Sequence, residues 1–277
     1  MTTVRPMDAG LDEQTRAFYR RSLEALRDAG VRYMVGGAYA FAQYTGIERH
    51  TKDLDVYLCE PDVSRALRAL EPVGCQPDHP YPHWLAKAYC GELFVDLIYS
   101  SGNGIGVVDE AWFRHARTGV VMGVPVLLVP PEELLWHKAF VQERERYDGA
   151  DVAHLLRAQA ESMDWPRLLR RFGPFWRVLY AHLVLFGFVY PGLRDRIPTE
   201  VMRKLAARLE KEVGHPASEG DLCQGTLLSR AQYLPDVELW GDRDVRLEER
   251  VRMTEQDVEI WTAAIDREEG PPGDPEA

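Results

Sequence analysis

Between residues 53 and 59 the side chains alternate: Leu54, Val56 and Leu58 take one set of positions, and Asp53, Asp55 and Tyr57 take the other. A period of two fits a β-strand and not a helix. It puts both carboxylates on one face, close enough to share a cation, while the leucines and the valine point into a core. Two acids that close repel unless something positive lies between them. Magnesium is a hard cation that takes one or two carboxylates together with substrate phosphates, so the pair is a candidate metal site.

The surroundings sharpen that reading. Residues 31–35 read as a strand broken by Gly36-Gly37, and residues 38–44 as a short helix stopped by Thr45-Gly46. The paired glycines remove two side chains where backbone comes near a ligand and aim free amides at it, a place that suits a triphosphate. Further on, Asp96 lies in the apolar strand Leu93-Phe94-Val95-Asp96-Leu97-Ile98. A lone charge there is costly, so Asp96 needs a metal or a cationic side chain as partner. Set beside Asp53 and Asp55, it completes a two-metal site of the kind that positions an attacking hydroxyl and neutralises a leaving pyrophosphate.

Apolar spacing predicts helices over residues 11–30 and 62–70, strands over 84–89 and 93–99 turning at Cys90-Gly91-Glu92, and a hairpin over 120–129 turning at Met122-Gly123. From Pro130-Pro131 the texture changes, and residues 132–145, 149–158, 165–172, 175–186 and 199–213 all read as helices. The expectation is an α/β domain with a mixed sheet over 1–130, a helical domain over 131–265 closing the cleft, and a disordered acidic tail over 266–277. Asp78, His79 and His83 fall in a Pro-rich stretch and read as surface loop residues. Asp148 reads as the cap of the helix that follows it. The aromatics between Trp165 and Tyr190 read as helical core.

The chain of 277 residues, 45% of them hydrophobic, is ample for a real core. Its net charge of −11 leaves no global field for holding duplex nucleic acid or an anionic membrane, although a local basic patch would serve an RNA end. Four scattered cysteines form no C-x-x-C pair and read as reduced thiols. The N-terminus lacks a secretory pattern, and the apolar run 178–190 is short for a bilayer and carries His182. A cytoplasmic location without membrane contact is expected.

Three segments, V-G-G-A-Y-A, E-R-H-T-K-D-L-D-V and F-V-D-L-I, together resemble the catalytic core of the polymerase-β-type nucleotidyltransferase superfamily. The spelling is closest to the small bacterial branch of AbiEii-type toxins and aminoglycoside nucleotidyltransferases. Arg49 and Thr51 match an R-x-T-x-D-x-D form of that branch. V-P-V-L-L-V-P-P-E-E-L-L-W-H-K-A-F and R-E-R-Y-D-G-A-D-V resemble its later segment, so the likeness spans residues 31–156. One departure is glycine in a turn where the toxin branch often carries serine.

The resemblance implies transfer of a nucleoside monophosphate from an NTP to an acceptor, a small molecule or an RNA end. Asp53 and Asp55 would hold two magnesium ions, and Asp96 would bind the second and help deprotonate the acceptor. Gly36, Gly37, Arg49, Thr51 and Lys138 would bind the nucleotide, with Asp148 and Asp151 bracing the helical junction or helping the site. Arg144 and Arg146 both remain candidates for the family's arginine. The alternative is an inactive nucleotidyltransferase-like binding module with a protein partner in a two-protein regulatory pair.

Overall fold

The computed structural model describes residues 11–48, 51, 53–217, 220–251 and 253–264. Arg49 and the tail 266–277 therefore lie outside the described residues. In chain order the helices and strands are α1 (Glu13–Asp28), β1 (Met34–Val35), α2 (Gly37–Thr45), β2 (Leu54–Tyr57), α3 (Val63–Leu70), β3 (Gln76–Tyr81), β4 (Leu85–Cys90) and β5 (Leu93–Ile98). They continue with α4 (Glu110–His115), β6 (Arg117–Val121), β7 (Val124–Leu128), α5 (Pro131–Ala139), α6 (Gly149–Gln159), α7 (Trp165–Phe172), α8 (Trp176–Val189) and α9 (Thr199–Val213). Last come β8 (Leu222–Cys223), α10 (Leu234–Glu238), β9 (Arg243–Asp244) and α11 (Glu255–Ala263).

Seven strands form one mixed sheet in the order β3-β4-β5-β2-β1-β7-β6. The hairpins β4–β5 and β6–β7 are antiparallel, whereas β2 runs parallel to β5 and β1 parallel to β7. The parallel pairs need crossovers, and α3 lies in the one between β2 and β5. Leu54, Val56, Val95 and Leu97 are fully buried from the paired central strands, as their alternation predicts. Helix α1 starts at Asp12, whose carboxylate accepts the Thr15 amide at 2.9 Å, and lays Phe18, Tyr19, Leu23 and Leu26 into the core.

Three expectations need correction. Residues 76–81 are a strand, not a loop, pairing on one side only with β4. An edge strand tolerates Pro77 and Pro80 because a missing amide costs nothing where no partner waits for it. Within the same stretch His83 is not a surface residue: its ring is buried and its Nε2 lies 3.0 Å from the Gly102 carbonyl. The helix expected over 132–145 ends at Ala139, because the Gln142 amide donates to the Leu228 carbonyl at 3.1 Å instead of continuing a helical ladder. The chain then folds back, with Gln142 pairing with Tyr147.

After α5 the architecture is helical, and its one described strand pair is the two-residue ladder of β8 and β9. The apolar core runs without a break across Pro130-Pro131. The Tyr44 hydroxyl donates to the Val129 carbonyl at 2.8 Å, and Gln159 on α6 donates to the Tyr44 carbonyl at 2.8 Å. By length and composition alone, Trp165–Val189 is apolar enough to cross a membrane. It is interrupted by a 3-10 turn at Gly173–Phe175, packs on α5, α6 and α9, and leaves Phe188 exposed. The aromatics expected in the helical core are divided accordingly: Trp165, Phe172, Phe175, Trp176 and Phe186 are buried.

Candidate active site

The centre of the site is set by register. Asp55 on β2 is the Cα partner of Asp96 on β5, so two carboxylates stand side by side on one face of the sheet, and Asp53 is two residues from Asp55 on that same face. Thr51 fixes the approach to the strand: its hydroxyl accepts the Asp53 amide at 3.2 Å and donates to the Asp53 carbonyl at 3.4 Å. Thr51 thus holds the backbone under the first acid.

The glycine step has a specific steric reason. The Gly36 amide donates to the Asp55 carbonyl at 3.0 Å, which ties the turn to β2. Gly37 adopts φ +51°, a left-handed conformation open to glycine, and a Cβ there would lie 1.7 Å from Asp55 Oδ2. A Cβ on Gly36 would strike the Tyr57 ring at 2.3 Å. Both glycines therefore clear space on the acid face at the start of α2.

Asp55 is half-buried, and its carboxyl is pushed up to about 7 by burial and then by repulsion from Asp96 and Asp53, with Lys138 and Arg146 pulling the other way. Such a group is short of positive charge. Asp96 is also raised by burial, but it has a direct partner: Lys87 Nζ donates to Asp96 Oδ1 at 2.6 Å. Among the described residues no group of three or more His, Cys, Asp or Glu side chains is gathered around one point that could hold a metal ion. Asp53, Asp55 and Asp96 thus share a face without converging on one point.

Residues 12–174, more than half of the chain, match a family described as uncharacterised nucleotidyltransferases. The chain belongs to this family. No curated protein matches it. Among solved structures, the nucleotidyltransferase is similar to the antibiotic-resistance factor ANT(2'')-Ia at 19% identity, covering 74% of this chain and 100% of that one, with a TM-score of 0.38. The lincosamide antibiotic adenylyltransferase LnuA matches at 17% identity over 52% of this chain and 96% of that one, with a TM-score of 0.37. A nucleotidyltransferase-like protein from Paracoccidioides brasiliensis matches at 17% identity over 67% and 93%, with a TM-score of 0.40.

Around the carboxylates, the nucleotidyltransferase arranges its cations unevenly. Lys138 on α5 is held between Asp148 and Asp151, at 2.9 and 2.6 Å, so a phosphate would have to compete with two ion pairs for it. The Asp148 side chain is spent on Lys138 and Arg146 and makes no cap bond to α6, although its backbone stands at the cap position. Arg144 points away, exposed, beside Glu145. Arg146 leans on Asp148 at 3.3 Å, and its charge is felt by Asp55 and Tyr57.

Two residues at the site carried no sequence expectation. Lys87 was hidden because its relevance depends on strand register, yet the Gly91-Glu92 turn between paired Cys90 and Leu93 fixes that register and could have revealed it. His137 packs against both Tyr57 and Trp112, which stack on each other, with ring centroids at 5.7 and 5.0 Å, and its Nε2 is 3.3 Å from the Gly106 carbonyl. Burial pulls its pKa down to about 4 against the pull of that carbonyl, so the ring is neutral and forms a wall behind Tyr57.

Proposed function

We propose that the protein transfers a nucleoside monophosphate from a magnesium-bound NTP to an acceptor hydroxyl and releases pyrophosphate. The observation that carries this is the Asp55 carboxylate, short of positive charge and lodged in the space that Gly37 leaves for it. The donor set fits a magnesium ion, which prefers hard oxygen ligands, and the cradle beside Asp55 is one a Cβ would fill. Asp53 and Asp55 would hold it, and when bound it would offset triphosphate charge.

The chain's own residues supply the remainder. Gly36 and Gly37 let the phosphates come close to the first turn of α2, and Arg146 contacts them, while Lys138 keeps the junction of α5 and α6 in place through Asp148 and Asp151. The acceptor oxygen forms its bond to the α-phosphorus as the bond from that phosphorus to the bridging oxygen breaks. The electron pair of the broken bond leaves with pyrophosphate, and the hydroxyl proton passes to Asp96. The helical half, 131–265, walls the cleft while sharing its core with the sheet and shapes the acceptor site, and the four free cysteines suit a cytoplasmic protein. A small-molecule acceptor fits the acidic balance better than RNA.

The test is thermal unfolding with each of the four NTPs, with and without magnesium, on the native chain and on an Asp53→Asn, Asp55→Asn double variant. Ligand at about 100 times its dissociation constant adds about 2.7 kcal/mol, a rise of several degrees. A magnesium-dependent rise lost in the variant supports the reading. No rise with any NTP, in a chain that unfolds cooperatively, sinks it and leaves the inactive binding module.

A further inference from the structure

Three strands that lie side by side, β4, β5 and β2, carry charged residues at one level of the sheet. Lys87 is the register partner of Asp96, and Asp96 is the register partner of Asp55. Partners at one level project from the same face, so the row runs ammonium, carboxylate, carboxylate, and ends against Gly37. The lysine is not a loose surface cation. Its Nζ is 2.6 Å from Asp96 Oδ1 and 4.2 Å from the centre of the Phe94 ring, and both members of the pair are largely buried, at 17% and 13% side-chain exposure. The ring face and the carboxylate hold the same ammonium from two directions.

A carboxylate in this position can be neutralised by a metal ion or by an ammonium, and a fixed ammonium at hydrogen-bond distance repels a divalent ion that approaches the same oxygens. Breaking a buried ion pair to admit such an ion would also strand the lysine charge. Among the described residues Asp53 and Asp55 have no comparable partner on the sheet: the cations that act on Asp55, Lys138 and Arg146, act from the helical side and are themselves bonded to Asp148.

We propose that Lys87 stands in for a second metal ion, so that the site takes one divalent ion at Asp53 and Asp55 while Lys87 positions the Asp96 carboxylate. This rests on the nucleotide-transfer reading and narrows it from two ions to one. Lys87 is a positioning residue on this account, acting through Asp96. Its register opposite Asp96 is set by the tight turn at Gly91-Glu92, so the substitution of side chain for metal is built into the hairpin.

The test counts Mn2+ bound per chain, from loss of the free-ion paramagnetic signal, in the presence of a saturating non-hydrolysable NTP analogue and corrected for the analogue alone. One ion per chain is expected in the native protein and in Lys87→Arg, and two in Lys87→Met, where the ammonium is gone and Asp96 is open. Asp96→Asn, which keeps an oxygen for Lys87, is expected to leave the count at one, and it answers the question even if Lys87→Met does not fold. Two ions in the native protein, one ion in a folded Lys87→Met, or loss of the ion in Asp96→Asn each overturn the proposal while leaving nucleotide transfer standing. No ion in the native protein removes the Asp53–Asp55 site itself, and both readings fall together.

Discussion

Two of the carboxylate clusters among the described residues are treated in opposite ways. On α5, Glu132 and Glu133 are almost wholly buried, yet they meet Arg167 and Arg171 from α7, and Arg171 reaches on to Asp109 at the cap of α4. Although burial works against it, Arg171 and the amides of α4 hold the Asp109 carboxyl below its usual range. On the sheet, Asp53, Asp55 and Asp96 have one cation bonded among them within the described residues, Lys87, and Asp55 is driven upward. The first cluster is closed by its own arginines and joins helices. The second is left open, and an open charge deficit beside a glycine cradle is what a ligand would complete.

The comparison can be broken at either end. The largest effect is expected from Arg167→Met, which strands the buried Glu132 and leaves Glu133 with Arg171 alone, and should cost about 3–5 kcal/mol in urea unfolding. A loss under about 1 kcal/mol would show that the closed cluster does not support the fold. Next, Asp55→Asn should lower nucleotide transfer about 1000-fold while leaving the unfolding temperature at pH 8 unchanged or higher, because it removes repulsion from Asp53 and Asp96. A clear drop in unfolding temperature would place Asp55 with the structural acids instead.

A third effect is acid sensitivity behind the site. The folded pKa of His137, about 4, lies below its unfolded value of 6.5, so the unfolded chain binds the extra proton. The stabilisation is complete above about pH 6.5 and is lost as pH falls toward 4, by on the order of 3 kcal/mol. Urea midpoints at pH 7, 5.5 and 4.5 should show the decline, and His137→Gln should flatten it in part, since burial also lowers His83 and His182. An identical slope in the variant would acquit His137. The smallest contrast is between neighbours: Arg146→Ala should weaken nucleotide binding about tenfold, the weight of one charge-assisted hydrogen bond, and Arg144→Ala should change nothing measurable. Equal losses in both would mean that Arg146 is not singled out by Asp148.

What could be read from the sequence follows the range of the signals involved. The alternation around Asp53 and Asp55, the Gly36-Gly37 break and the apolar strand around Asp96 are local patterns, and β2, the start of α2 and β5 stand close to where they predict. Lys87 opposite Asp96 needs the register of a hairpin, which the turn at Gly91-Glu92 encodes two steps removed. β3 was obscured because prolines argue against a strand unless the strand is known to lie at an edge, and edges are a property of the whole sheet. The early end of α5 depends on the Leu228 carbonyl, far along the chain, so nothing local foretells it. The closed arginine–glutamate cluster was equally hidden, since Glu132 and Arg167 meet only once α5 and α7 have packed.

The unbroken core across Pro130-Pro131 has a bearing on how the chain comes undone. Tyr44 is tied through its hydroxyl to Val129 and through its backbone carbonyl to Gln159, so opening the helical half pulls on the same residue that anchors the helix after the glycine turn. Local opening of either half is therefore opposed by the other, and the described halves are coupled into one melting unit. For a transferase this has a practical corollary: whatever fills the cleft tightens both halves at once, and amides as distant as those of α1 and α8 should gain protection from solvent exchange together when nucleotide binds.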